Sequence, residues 1–551
     1  MAPVSGRRLS TALFLGALPA LVALATGASI LAHNAFLLAG LGIVVAGISI
    51  FLFKGEPMRT ATPSWPLLVL LALLPVGIGA VALDGPVTND EEAYLFQAQL
   101  FSQGQATEAL SPEPAALFRR QVFEDSEAGV RFSKYPPGAS IGLALGTWLG
   151  SPRIAVFFAA LLDLILLAGI CRTLGLRKPG TAVLLFALAP FHLLVHTSFQ
   201  SEVFTVPGIL AGYWALLALR NSPKTSLLLA VAVGASAGWV FLCRPLTGVV
   251  FAVACFPALL LRRGGLQSTL GAVLGGLPFL LGLLAWQAAR TGDPWTSPYH
   301  LYAAAFGPWD PSLLREGIRV PLDVYGKGDF ISGLLGQAAR WSVAWGGILG
   351  AAALGFWGLA RLRSSDGWAG LSLSIGLPLA YAFHWYPGHW GYLGPLYAFE
   401  SLALLTLGLV FLLEKAPSGW ARGLPMAALG LGCVLFLSRL APLAEHSQMR
   451  ASPASTAAEQ APNDAVVLLP WSPNPILQER SMKTWVPSPW PFKEGEAVLV
   501  REFGDLSATR TALQELGLGG RPLFRFVPGG ENSSPGLERV QRPGEATSPK
   551  E

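Results

Sequence analysis

Unbroken apolar stretches separated by short polar connections dominate the chain. About thirteen of them approach the ~20 residues that cross a bilayer as a helix. They lie at residues 11–32, 35–53, 65–83, 153–173, 179–196, 203–219, 226–243, 246–261, 268–289, 343–360, 367–386, 393–413 and 424–441. A shorter run, Gly138 to Gly150, reads as an interfacial or re-entrant segment. The first run follows Arg7 and Arg8 and is longer than the ~7–15 residue core of a signal sequence, so it is read as the first membrane helix. No internal repeat and no paired Gly/Pro-broken helices of the transporter kind stand out.

Composition supports this pattern. Hydrophobic residues make up 52% of the 551 positions and charged residues 13%, against roughly 25% charged in soluble domains. A surface so poor in charge faces lipid. The net charge of +5 is spread over short loops with no basic block, which argues against a nucleic-acid partner. Cys171, Cys243, Cys255 and Cys433 all fall in apolar stretches, so no disulfide framework outside the membrane is expected.

Basic residues then set the orientation. With Arg7 and Arg8 inside, the inner connections hold Lys54 and Arg59, then Arg172, Arg177 and Lys178, then Arg220 and Lys224. Arg262 and Arg263, Arg361 and Arg363, and Lys415 and Arg422 complete the set. The expected fold is an all-α polytopic membrane protein in the plasma (inner) membrane with a cytoplasmic N-terminus. Residues 1–64 form a two-helix extension and 65–441 a transmembrane core with outer loops 84–137 and 290–342. Residues 442–551 form a soluble extracytoplasmic tail. In the tail, Ala465–Pro470, Ala497–Val500 and Leu523–Val527 read as strands and Ser507–Leu516 as a helix, a small α/β appendage. From about residue 529 the Gly-, Ser-, Pro- and Glu-rich composition predicts disorder.

The first outer loop carries the densest chemistry. Thr88-Asn89-Asp90-Glu91-Glu92-Ala93-Tyr94 opens a predicted helix, with Thr88 and Glu91 at capping-box spacing. Ala93, Phe96, Gln97, Leu100 and Phe101 continue it with helical period, predicting a helix on the membrane surface. Asp90 and Tyr94 share a face. Acids in a first helical turn are also what the macrodipole favours, each by roughly 0.3–1 kcal/mol, with no further role.

Asp90-Glu91-x-x-Tyr94, directly after a membrane helix, resembles the GT-C glycosyltransferases, which include the lipid A aminoarabinose transferases and the protein O-mannosyltransferases. The resemblance implies transfer of a sugar from a polyprenyl-phosphate donor to an acceptor on the outer face, with the catalytic acid at Asp90. In those enzymes the same loop later carries a Lys-Pro-Pro or Tyr-Pro-Pro element, and here it reads Ser133-Lys134-Tyr135-Pro136-Pro137-Gly138. The stretches Thr291–Tyr302 and Gly394–Glu400 are similar to bacterial members of the superfamily. Those often have Gly-Pro-Arg-Tyr at the second site, where this chain has Leu396. The membrane spans and outer tail also look like the aminoarabinose transferases, and two spans precede the usual start of the family core.

Such a transfer needs a carboxylate to take the acceptor's proton and fixed cations to hold the leaving phosphate. Asp90, with Glu91 beside it, is the catalytic candidate. Lys134, Arg244, Arg119 and Arg120 are the phosphate candidates, with Arg131 in the same loop. Lys134 adjoins the stiffening Pro-Pro element. Arg244, in a turn on the outer side, reads either as a phosphate ligand or as a charge reaching for water. Glu202 reads as a sugar ligand or a helix cap. Tyr94, Tyr135, Tyr299, His384, His389 and Tyr397 complete the sugar- and acceptor-binding candidates. His192 and His196, and His384 and His389, leave a divalent cation open without a recognised ligand spacing, and no other cofactor is called for.

The expected partners are a polyprenyl-phosphate sugar, membrane lipids and a glycan, lipid or protein acceptor. Two rivals stand beside the transferase: a transporter or flippase for a lipid-linked saccharide, and a non-catalytic GT-C-fold binding or assembly component. The first calls for charges deep in the spans, and apart from Asp163 their central parts hold almost no ionisable residue, which argues against it.

Overall fold

A computed structural model describes residues 63–112, 121–221, 226–261, 264–305, 350–362, 365–382, 394–469, 495–502, 506–527 and 534–540, with a few isolated positions between. The chain divides into two compact units: Met1–Ala82 with Pro136–Pro442, and Leu83–Tyr135 with Leu443–Glu551.

The first unit is helical and belongs to an integral membrane protein. Five helices are long and apolar enough to cross a bilayer: Trp65–Ala82, Pro152–Thr173, Glu202–Leu219, Gly265–Thr291 and Gly419–Gln460. A sixth span exists if Pro179–Ala187 and Pro190–His196, bent by 60° at their junction, count as one. The expected thirteen are therefore not found among the described residues. Apolar runs such as Pro245–Leu260 and Ser401–Leu413 form helices shorter than a span. The 179–196 run is broken before Pro190, whose ring cannot continue the helical hydrogen-bond ladder. The two runs before residue 63 lie outside the described residues. Gly138–Gly150 forms a 12-residue helix, Pro137–Trp148.

Small residues set close helix crossings. A Cβ on Gly234 (Ser226–Cys243 helix) would lie 1.7 Å from the Ala272 carbonyl oxygen, and one on Gly275 would lie 2.1 Å from that of Val231. In lipid, where helix association rests on dispersion, backbones must come this close.

The second unit joins the first outer loop to the tail. Asn89–Ser102 is a helix. It is followed by β1 (Glu108–Ala109), β2 (Val122–Asp125) and β3 (Val130–Ser133), an antiparallel sheet in the order β1-β3-β2. Asp125 Oδ1 accepts from the backbone N–H groups of Glu127 and Ala128 and shapes the β2–β3 turn. The apolar face of the 89–102 helix is covered by protein, not laid on headgroups as expected: Ala93, Phe96 and Leu100 pack with Val122 and Tyr135.

The 43-residue helix Ser418–Gln460 continues well past the expected end at residue 441. Beyond it come β4 (Val466–Leu469), β5 (Val498–Arg501), the helix Leu506–Glu515, β6 (Leu523–Val527) and β7 (Gly536–Arg539). The sheet order is β5-β4-β6-β7, with β4 parallel to both neighbours. Central β4 is buried along its whole length, as a continuous Val-Val-Leu-Leu run requires. The appendage thus matches the expected α/β type. Strand β7 falls within the segment expected to be disordered. Its sequence is polar, and its antiparallel pairing with β6, Phe524 with Arg539 to Val527 with Gly536, supplies the order that composition alone does not.

Candidate functional site

The 89–102 helix begins with a complete capping box. Thr88 accepts from the Glu91 N–H at 3.2 Å, while Glu91 Oε1 accepts from the Thr88 N–H at 3.2 Å and its hydroxyl at 3.1 Å. Glu91, named with Asp90 as a catalytic candidate, is fully buried in this arrangement, and its carboxylate is engaged by the cap. Glu92, also buried, forms an ion pair with Arg450, whose Nη2 donates to Asn89 Oδ1 at 2.8 Å. Asp90 is the exception. Its half-buried carboxylate has no hydrogen bond or ion pair with any described residue. One turn on, Tyr94 packs against Tyr135 with ring centroids 4.6 Å apart.

Lys134 follows from β3. The Ser133 N–H donates to Gln97 Oε1 at 3.0 Å, and Gln97 Nε2 donates to the Ala106 carbonyl at 2.9 Å, which fixes the strand's end to the helix. The Lys134 N–H donates to the Gln121 carbonyl at 3.1 Å. Its ammonium lies 5.1 Å from the centre of the Tyr135 ring, a cation–π distance. Asp90 and Tyr94 on the helix, and Tyr135 and Lys134 at the strand's end, therefore form one succession, linked between Tyr94 and Tyr135. Arg131, by contrast, is engaged by Glu108 and by the Leu117 carbonyl at 2.8 Å. Leu117 itself sits in the apolar core of the tail.

In the first unit Arg244 is held between two carboxylates, Glu202 Oε1 at 2.5 Å and Glu400 Oε1 at 3.3 Å. Thr205 donates to Glu400 at 2.8 Å and Ser201 to Glu202 at 3.2 Å. The guanidinium lies 5.1 Å from the centre of the Tyr381 ring and 5.3 Å from that of Tyr397. Those rings stack at 5.0 Å and 13°. Arg244, a phosphate candidate in the sequence, is thus engaged by two carboxylates from different helical segments. Glu202 is its ion-pair partner. Glu400 and Tyr381 were missed in the sequence because their partners lie on distant segments.

Tyr299 opens the helix Pro298–Ala305. Just before it, Asp293 accepts from the Thr296 hydroxyl at 2.6 Å and the Trp295 N–H at 3.2 Å. These two bonds, the hydroxyl first, hold its carboxyl below the usual carboxylate range. Arg119, Arg120, His384 and His389 lie outside the described residues. An apolar groove of about 460 Å³ in the first unit runs over Gly142, Gly146 and Gly208, beside Phe158 and Trp239.

No family model matches the sequence, and no curated protein does. Among solved structures, the chain is similar to ArnT from Cupriavidus metallidurans bound to undecaprenyl phosphate. Identity is 12%, the match covers 84% of this chain and 93% of that one, and the TM-score is 0.49. For the same protein in its apo state the values are 12%, 83%, 92% and 0.47. For the apo oligosaccharyltransferase of Archaeoglobus fulgidus, of which the match spans 61%, identity is 11%, coverage of this chain 82% and the TM-score 0.42.

Proposed function

We propose that the protein is a membrane-embedded glycosyltransferase of GT-C type. It moves a sugar from a polyprenyl-phosphate donor to an acceptor hydroxyl at the outer face of the membrane, with the N-terminus inside and the tail outside. The observation that carries this reading is Asp90. Of three consecutive acids at the head of one helix, Glu91 closes the cap and Glu92 binds Arg450, and only Asp90 keeps a carboxylate unengaged by the described residues.

In this reading Asp90 takes the proton of the acceptor hydroxyl as its oxygen bonds to the anomeric carbon. The bond from that carbon to the phosphate oxygen breaks, and its electron pair leaves with the polyprenyl phosphate. The Lys134 ammonium offsets the charge that develops on the leaving group, with Arg119 and Arg120 of the same loop as further phosphate ligands. Tyr94 and Tyr135 offer aromatic surface to a sugar ring, and Tyr299, Tyr397, His384 and His389 remain proposed sugar or acceptor contacts. The glycine-floored apolar groove suits an isoprenoid chain.

The test is transfer from a panel of radiolabelled polyprenyl-phosphate sugars by purified wild type and Asp90→Asn. Loss of a general base lowers the rate by roughly 10²–10⁴-fold. A folded Asp90→Asn protein with undiminished transfer would overturn the assignment.

A second reading, translocation of a lipid-linked saccharide, is favoured by one observation: the buried Glu202–Arg244–Glu400 cluster within the membrane unit. Proteoliposomes that flip such a lipid while wild type transfers no sugar would select it.

A further inference from the structure

A second cluster, unused by the proposed reaction, lies inside the first unit. Asp163, from the middle of the Pro152–Thr173 helix, meets His192 and His196, one turn apart on Pro190–His196. All three side chains are fully buried. Nδ1 of His192 lies 3.1 Å from the Ala187 carbonyl, and Nδ1 of His196 lies 3.2 Å from the His192 carbonyl. A carbonyl oxygen can only accept, so each Nδ1 carries the proton. Each Nε2 of a neutral ring is then a bare lone pair.

Those lone pairs face a carboxylate. His196 Nε2 lies 3.2 Å from Asp163 Oδ2, and one ligand atom from each of the three residues lies within 4.8 Å of the others. Neither oxygen of Asp163, nor Nε2 of His192 or His196, has a hydrogen-bond partner among the described residues. Lone pair set against lone pair in an apolar interior is repulsive unless a cation lies between them. A proton on His196 would satisfy one imidazole and leave His192 unserved. A metal ion serves all three ligands at once.

We propose that Asp163, His192 and His196 bind a divalent metal ion. Two imidazole nitrogens and one carboxylate oxygen, with a fourth position for water, suit zinc best. The Nδ1–carbonyl bonds are the outer contacts that orient metal-binding histidines. His192 is further steadied by Phe186, with centroids 4.4 Å apart, and by the His196 ring at 4.1 Å. The ion fastens Pro190–His196, the second half of the bent pair, to the Pro152–Thr173 helix. Its role is to hold the 60° break in place.

The test is the metal content of the full chain, purified in detergent with an affinity tag free of histidine. After incubation with Zn²⁺ and desalting, wild type is expected to retain one zinc per chain. X-ray absorption is expected to show two imidazole ligands, and Co²⁺ in its place to give the visible spectrum of a tetrahedral site. Asp163→Asn keeps the side-chain shape and His196→Gln the approximate volume, and both are expected to lose the ion while staying monodisperse. A folded wild type that retains neither Zn²⁺ nor Co²⁺ overturns the proposal, as do variants that retain as much metal as wild type. If the variants fail to fold, the wild-type absorption spectrum decides: a shell without two imidazoles overturns the site.

Discussion

Partly buried Arg450 forms an ion pair with the buried Glu92, and the same guanidinium nitrogen that reaches Glu92 also donates to Asn89. The first turn of the acid helix is thus fastened to the distal part of the Ser418–Gln460 helix. Ser447 adds a reciprocal pair of 3.0 Å hydrogen bonds with the backbone of Gly85. Removing Arg450 strands the buried Glu92 carboxylate, at a cost below the about 3–5 kcal/mol of a pair buried on both sides. Arg450→Ala is expected to lower the thermal unfolding temperature in detergent and to reduce transfer with it. Equal stability for wild type and Arg450→Ala would show that the pair holds nothing.

The three acids should separate by substitution. Asp90→Asn removes the base and leaves the fold unchanged. Glu91→Gln keeps a carbonyl oxygen for the Thr88 N–H and should stay active. Thr88→Ala, which deletes the cap hydroxyl, should reduce stability by about 0.5–2 kcal/mol. Thermal melts and initial rates on the same preparations check this order. It fails if Glu91→Gln, at unchanged stability, is as inactive as Asp90→Asn.

At the helix crossing, Gly234→Ala and Gly275→Ala each drive a methyl group into a facing carbonyl. Overpacking of this kind costs about 1–3 kcal/mol. Gly77→Ala, with nothing within 4 Å of its added methyl, is the matched control and should be neutral or mildly stabilising. The measurement is residual folded protein after a graded heat step.

Asp293 supplies a pH prediction. Its folded carboxyl titrates below the unfolded one because Thr296 and Trp295 donate to its charged form. The associated stability is complete above the unfolded pKa and is lost as pH falls through the lower, folded value. Thr296→Val should move the Asp293 titration upward, as read from carboxyl chemical shifts. An unchanged midpoint would assign the depression elsewhere.

What the sequence discloses follows the range of each interaction. The Thr88–Glu91 cap is legible because both halves lie within one turn, and β4 because four apolar residues in a row suffice. The Glu92–Arg450 pair and the Glu202–Arg244–Glu400 cluster are not legible, since no local pattern joins residues that meet only through folding. Asp163 is conspicuous as a charge within an apolar run, yet its histidines become its neighbours only through the bend before Pro190. Fewer than thirteen spans appear among the described residues because hydropathy counts apolar residues and does not register where a run folds into a helix too short, or too bent, to cross by itself.

The second unit is assembled from Leu83–Tyr135 and Leu443–Glu551, and Leu117 of the earlier segment lies in a core built largely from the later one. This imposes an order of events on biosynthesis. Once the earlier segment has left the ribosome, all of Pro136–Pro442 must be translated before its partner exists. At 5–20 residues per second that wait is on the order of tens of seconds. Through that interval Glu92 lacks Arg450 and Leu117 lacks its core. Both contacts form only when the chain beyond Leu443 has been made, so the earlier segment must stay unpaired, with its apolar side chains uncovered, until the end of synthesis.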